Sequence, residues 1–87
     1  MRVIYKYKLA VTDVQTIKLP KGYKIVHVAE SHGDIYIWCE LNQLDELEEV
    51  RFDIHGTGHL ILKSDSVHLA SVVTKAGYVW HVYHYPA

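Results

Sequence analysis

Eighty-seven residues and 10.1 kDa allow a single domain, residues 1–87. A chain of this size buries only about 60% of the surface that its unfolded form exposes, so roughly 5 kcal/mol of stability, or somewhat more, is expected. Hydrophobic residues at 49% and charged residues at 22% exclude a disordered tail. A formal net charge of -1 and a pI near 6.6 exclude a strongly basic nucleic-acid binder. Bulk charge thus gives no means of recruiting DNA, RNA or an acidic membrane.

The first residues, Met1-Arg2-Val3-Ile4-Tyr5-Lys6, alternate charge with apolar side chains, so no secretory signal or transit peptide is expected. In the same segment Val3, Tyr5, Tyr7 and Leu9 share one face of a strand, against Arg2, Lys6 and Lys8. A second strand is predicted over Val14–Leu19, stopped by Pro20-Lys21-Gly22. Tyr23 to Glu30 carries apolar residues on both sides, which predicts a central strand. Ser31-His32-Gly33-Asp34 is a hairpin turn in which Gly33 supplies a positive φ. The return strand sets Ile35, Ile37, Cys39 and Leu41 against Tyr36, Trp38 and Glu40.

Leu44–Glu49 has the one helix-like composition, and it is too short to hold a helix unaided. An acidic loop, or at most one helical turn near 43–49, is expected there. Val50, Phe52 and Ile54 resume the alternation against Arg51, Asp53 and His55, and Gly56-Thr57-Gly58-His59 follows as a glycine-punctuated loop. The last two strands are predicted at about Val67–Thr74 and Tyr78–Tyr85, around a turn at Lys75-Ala76-Gly77. The fold class is therefore all-β: a small antiparallel sandwich or partly open barrel of about seven short strands. Every linker is too short for a crossover helix, which favours meander connections. Unpaired edges in so small a sheet favour a homodimer.

Chemistry is sparse at this level. Single Cys39 excludes an internal disulfide and a Cys-based zinc site, and its apolar neighbours predict a buried thiol. Of seven histidines, His81 and His84 fall on opposite faces of their strand. His55 and His59 are the one pair that a loop could bring together. No metal site and no cofactor are expected. Two glycines in Gly56–His59 let backbone N–H groups approach a ligand oxygen, with Thr57 and His59 adding side-chain hydrogen bonds. In the last strand Tyr78, Trp80 and Val82 share one face and Val79, His81 and Tyr83 the other. Core packing is the favoured place for Trp38 and Trp80. No nucleophile motif or paired acid and base is present, so no catalytic residues and no enzyme are expected. Asp45, Glu46, Glu48 and Glu49 form one acidic cluster, while the first 24 residues hold six of the nine basic side chains.

Tyr5-Lys6-Tyr7-Lys8-Leu9, followed by Asp13-Val14-Gln15-Thr16-Ile17 and Pro20-Lys21-Gly22, resembles the opening of a family of small, largely uncharacterised proteins of bacteriophage and prophage genomes. The resemblance continues through Ile25–Val28, the strand bearing Trp38, Gly56–His59 and Val79-Trp80-His81-Val82, so it spans nearly the whole chain. Leu60 stands where that family usually has proline, Asn42–Leu47 lacks the proline common there, and the end at His84–Ala87 differs. The resemblance implies a phage origin, action in the host cytoplasm and no residue roles. Small non-catalytic phage proteins commonly act by binding. The leading expectation is contact with a host protein, such as a component of antiviral defence, through Gly56, Thr57, Gly58, His59, Trp80, His81 and Tyr83. The alternative is sequestration of a nucleotide-like small molecule, and the third a virion or assembly component. No membrane and no direct nucleic-acid partner is expected.

Overall fold

The computed structural model describes residues 1–12, 14–58, 61 and 65–85. Seven strands follow one another: β1 (Arg2–Leu9), β2 (Gln15–Pro20), β3 (Lys24–Ser31), β4 (Asp34–Asn42), β5 (Leu47–Gly56), β6 (Val67–Val73) and β7 (Val79–Tyr85). All pair antiparallel, in a three-stranded sheet of order β1-β4-β3 and a four-stranded sheet of order β2-β5-β7-β6. The sheets do not close into a barrel. They form the sandwich of the two expected architectures.

Period-2 alternation builds the core. Ile35, Ile37, Cys39 and Leu41 line the inner face of β4, and Val50, Phe52 and Ile54 that of β5. Leu9, Leu19, Val72 and Val82 complete the buried set between the two sheets. β4 is central in its sheet, so its inner residues are sealed by both neighbours and are almost fully buried. Burial pushes the Cys39 thiol up to about 11, which keeps it protonated and unreactive at neutral pH. Native protein should therefore resist a thiol reagent at pH 8 and react at one equivalent only when unfolded, as an absorbance assay reports.

The connections depart from a meander. Only β3–β4 and β6–β7 are local hairpins, whereas β1–β2, β2–β3 and β4–β5 carry the chain from one sheet to the other. Stacked sheets lie only about 10 Å apart, so a linker of a few residues crosses the sandwich as readily as it returns beside its own strand. Linker length alone does not separate the two. The tip of the β3–β4 hairpin matches expectation: His32 (φ 53°) and Gly33 (φ 87°) both occupy the left-handed region that a two-residue primed turn demands.

β3 lies at a sheet edge, not centrally. Its register slips between Ile25 and His27. That bulge lets Ile25 and Val28 both pack inward while Val26 is left 44% exposed. Apolar residues on both sides of this strand thus record a bulge and not two covered faces. Residues 43–46 form a turn, closed by the Asp45 N–H donating to the Asn42 carbonyl at 3.1 Å. β5 begins at Leu47, so the helix-like composition becomes neither helix nor long loop. Among the described residues no helix is long and apolar enough to cross a membrane.

At the sandwich rim the Tyr23 hydroxyl and His84 Nε2 lie 2.6 Å apart, and the His84 ring packs against Phe52 at 5.4 Å. Partial burial lowers the His84 pKa from its ordinary value. The unfolded chain therefore binds this proton more readily than the fold does. Stability from neutral His84 is present above its unfolded pKa of about 6.5 and is lost as pH falls through the lower folded value. The unfolding temperature should drop between pH 7 and pH 5, and His84→Gln should flatten that part of the profile.

Candidate functional site

The outer face of the four-stranded sheet gathers polar rings where a solvent face requires none. Cross-strand register sets His55 opposite His81, Asp53 opposite Tyr83 and Arg51 opposite Tyr85, and on the other side of β7 it sets His68 opposite Tyr83 and Ser71 opposite His81. Every one of these positions points away from Phe52, Ile54 and Val82, which hold the inner face. Alternation in three adjacent strands thus builds one continuous patch.

Tyr83 stands at its centre, edge-on to His55 (centroids 5.5 Å apart) and to His68 (5.3 Å). Beside it runs a hydrogen-bonded chain. His68 Nε2 lies 3.0 Å from the Ser71 hydroxyl, which lies 2.7 Å from His81 Nδ1. His81 Nε2 in turn lies 3.0 Å from the Thr57 hydroxyl. Each hydroxyl can donate or accept, so the chain is satisfied in more than one tautomeric arrangement.

On β5 the Asp53 carboxylate is buried, at 3% exposure. It accepts from the Tyr85 hydroxyl at 2.7 Å and from Arg51 Nε at 3.4 Å. The Arg51 guanidinium also lies over the Tyr85 ring, 4.6 Å from its centroid. His55 is buried too, and its Nε2 has no hydrogen-bond partner, with the Asp53 carboxylate 3.9 Å away. A buried ring nitrogen without a partner is an opening for one. Tyr83 keeps His55 apart from His68. Among the described residues no three histidine, cysteine or acidic side chains are grouped to hold a metal ion.

Thr57, His81 and Tyr83 are brought together as expected. Trp80 is not part of their surface: it points to the opposite face of β7, packs against the core and lines the rim. A strand cannot present residues 80, 81 and 83 on one side. Gly56 pairs with Trp80 as an ordinary strand residue, and of the loop glycines Gly58 alone takes a positive φ, at 88°. His59 lies outside the described residues. Gly56, Thr57, Gly77, Tyr78, Val79 and Trp80 line an open groove of about 390 Å³.

Asp53, His68, Ser71 and Tyr85 complete the patch without a signal of their own in the sequence, and His55, which the sequence offers only as a partner for His59, joins them. The shared signal is the alternation itself, Arg51-Asp53-His55 and His81-Tyr83-Tyr85, which becomes a site only once β5 and β7 are known to be neighbours. Trp38 likewise sits away from the core. It lies on the outer face of the three-stranded sheet, tilted against His27 at 5.1 Å and Tyr36 at 6.2 Å.

Compared with known proteins, the chain matches one family model over residues 1–87, described as Domain of unknown function (DUF7352). No curated protein and no solved structure matches it.

Proposed function

Since the chain belongs to the DUF7352 family, which carries no assigned activity, we propose a function from its surfaces: a non-catalytic binding protein that acts by direct protein–protein contact. The observation that carries this reading is the gathering of His68, His81, Tyr83 and Tyr85, with Arg51, on one outer sheet face above the buried His55. Rings on a rigid sheet offer large contact area at small entropic cost, and Tyr and Arg are the residues in which interface energy concentrates. Ser71 and Thr57 hold the rings of His68 and His81, and Asp53 holds Arg51 and Tyr85, while the buried Nε2 of His55 has no partner.

Phage origin, supported by the resemblance of the sequence to phage and prophage proteins, makes a host protein the partner, and antiviral defence the process in which blocking it is useful. Exposed Val67 and Val73 on the free edge of β6 favour pairing with a second copy, so the complex is expected at 1:1 or 2:2. The test is affinity capture from host lysate with the whole chain as bait, followed by sizing of the eluted complex. A stoichiometric partner is the expected result, and an empty capture contradicts the proposal. Higher-order oligomers of the chain alone would favour an assembly component.

The groove beside Trp80 favours one second reading, the binding of a nucleotide-like small molecule with a base against Trp80 or Tyr78. A ligand at 100-fold over its Kd adds about 2.7 kcal/mol, a shift of many degrees in so small a domain. Thermal unfolding against a panel of cyclic and linear nucleotides detects it, and a flat panel removes this reading.

A further inference from the structure

The outer face of the three-stranded sheet carries a second, unrelated constellation. Tyr36 and Trp38 project from its central strand, β4, two residues apart on one side. β1 sets Lys6 opposite Trp38 and Lys8 opposite Tyr36, and β3 sets His27 opposite Trp38 and Lys24 opposite Glu40. The face thus holds four cations (Arg2, Lys6, Lys8 and Lys24) and two carboxylates (Asp34 and Glu40), a surplus of two positive charges. Arg2 pairs with Glu40 at 3.2 Å and Lys8 with Asp34 at 3.6 Å. Lys6 has no carboxylate among the described residues. Its Nζ lies over the Tyr36 ring, 4.0 Å from the centroid, and 5.6 Å from that of Trp38.

We infer that this face binds single-stranded nucleic acid, stacking bases on Tyr36 and Trp38 and setting phosphates against Lys6 and Lys24. A net charge of -1 hides this local surplus, because much of the acid is concentrated at residues 45–49, in and after the β4–β5 turn. Residues two apart on a strand stand about 6.6 Å from each other, near twice the rise of about 3.4 Å per nucleotide along the axis of a duplex. Rings so placed accept bases that have come apart from one another, which a single strand allows and a duplex does not. Lysines on both flanks of the ring stripe follow the backbone, while the rings take any base by its π-face. Lys6 covers the Tyr36 ring in the free protein, so a base stacks there as the flexible lysine swings aside to meet the phosphate. An acidic polypeptide would use the lysines and leave the rings unfilled.

The inference is independent of the histidine–tyrosine face, which belongs to the other sheet. Its test is the anisotropy of a labelled fifteen-nucleotide oligothymidylate titrated with the whole protein at low salt. Trp38→Ala should weaken binding by about tenfold or more. Lys6→Ala with Lys24→Ala should weaken it and lower the log–log salt slope by about 1.4, near 0.7 for each phosphate no longer neutralised. Lys18→Ala, on the other sheet, should match wild type. Circular dichroism establishes that each variant is folded, and if Trp38→Ala is not, Trp38→Phe with retained binding and the double lysine variant decide. No binding at low salt, equal affinity for a duplex of the same length, or variants that bind like wild type would overturn the inference. So would displacement of the oligonucleotide by polyglutamate at equal charge, which would assign the face to acidic polypeptides.

Discussion

Phe52→Ala should leave little folded protein at 37 °C. Phe52 is fully buried in the middle of β5, between β2 and β7, and its ring meets that of His84. Truncating a buried phenylalanine costs about 3–5 kcal/mol, part from lost transfer energy and part from the cavity left behind. A domain of this size has roughly 5 kcal/mol in all, and each kcal/mol moves the unfolding temperature of a 60–100-residue domain by about 4–8 °C. A fall of about 20 °C or more is expected by circular dichroism. Val26→Ala is the comparison, since the bulged Val26 is exposed and should shift by no more than about 0.5 kcal/mol. A small shift for Phe52→Ala would mean that the two sheets do not pack through this residue.

Asp53→Ala should be the most damaging change at a polar position. Its carboxylate accepts from Tyr85 and Arg51 inside a nearly water-free site. Removing it takes away the acceptor of the Tyr85 hydroxyl, which keeps only its hydrogen bond with Ser66, and leaves His55 Nε2 further from any polar neighbour. Hydrogen bonds to a charged group contribute about 1.5–3 kcal/mol each. Arg51 is partly exposed and can turn to water, so a net loss of about 2–3 kcal/mol is expected. Asp53→Asn keeps an acceptor for Tyr85 and should cost about half as much. Equal stability of wild type and Asp53→Ala, by urea unfolding, would reduce the cluster to a surface feature without structural weight.

The all-β class, the seven strands and most of the core were legible because alternation writes buried faces directly into the sequence. Ile35, Ile37, Cys39 and Leu41, or Val50, Phe52 and Ile54, need no partner to be recognised as an inward face. Strand order is different in kind. It depends on which linkers cross the sandwich, and a five-residue link such as 10–14 is compatible with either course. The candidate site depended on that order. His81 and Tyr83 were visible on β7, but Asp53, His55 and His68 joined them only through strands distant in sequence. Grouping Trp80 with His81 conflicted with the period of a strand, and the structure resolves the conflict by turning Trp80 inward. β3 misled for a local reason, because one bulged residue mimics the pattern of a strand covered on both faces. Trp38 misled because a large ring is a core residue by habit, although its phase with Glu40 and against Cys39 already placed it outside.

The most direct test of the proposed function compares host-lysate capture by wild type with capture by a His81→Ala, Tyr83→Ala double variant. Both side chains lie on the outer face of β7, and the core beneath them is carried by Val82, so the variant should remain folded by circular dichroism. A partner retained by wild type and lost from the folded variant is the predicted result. A partner held equally by both would contradict the assignment of binding to this face.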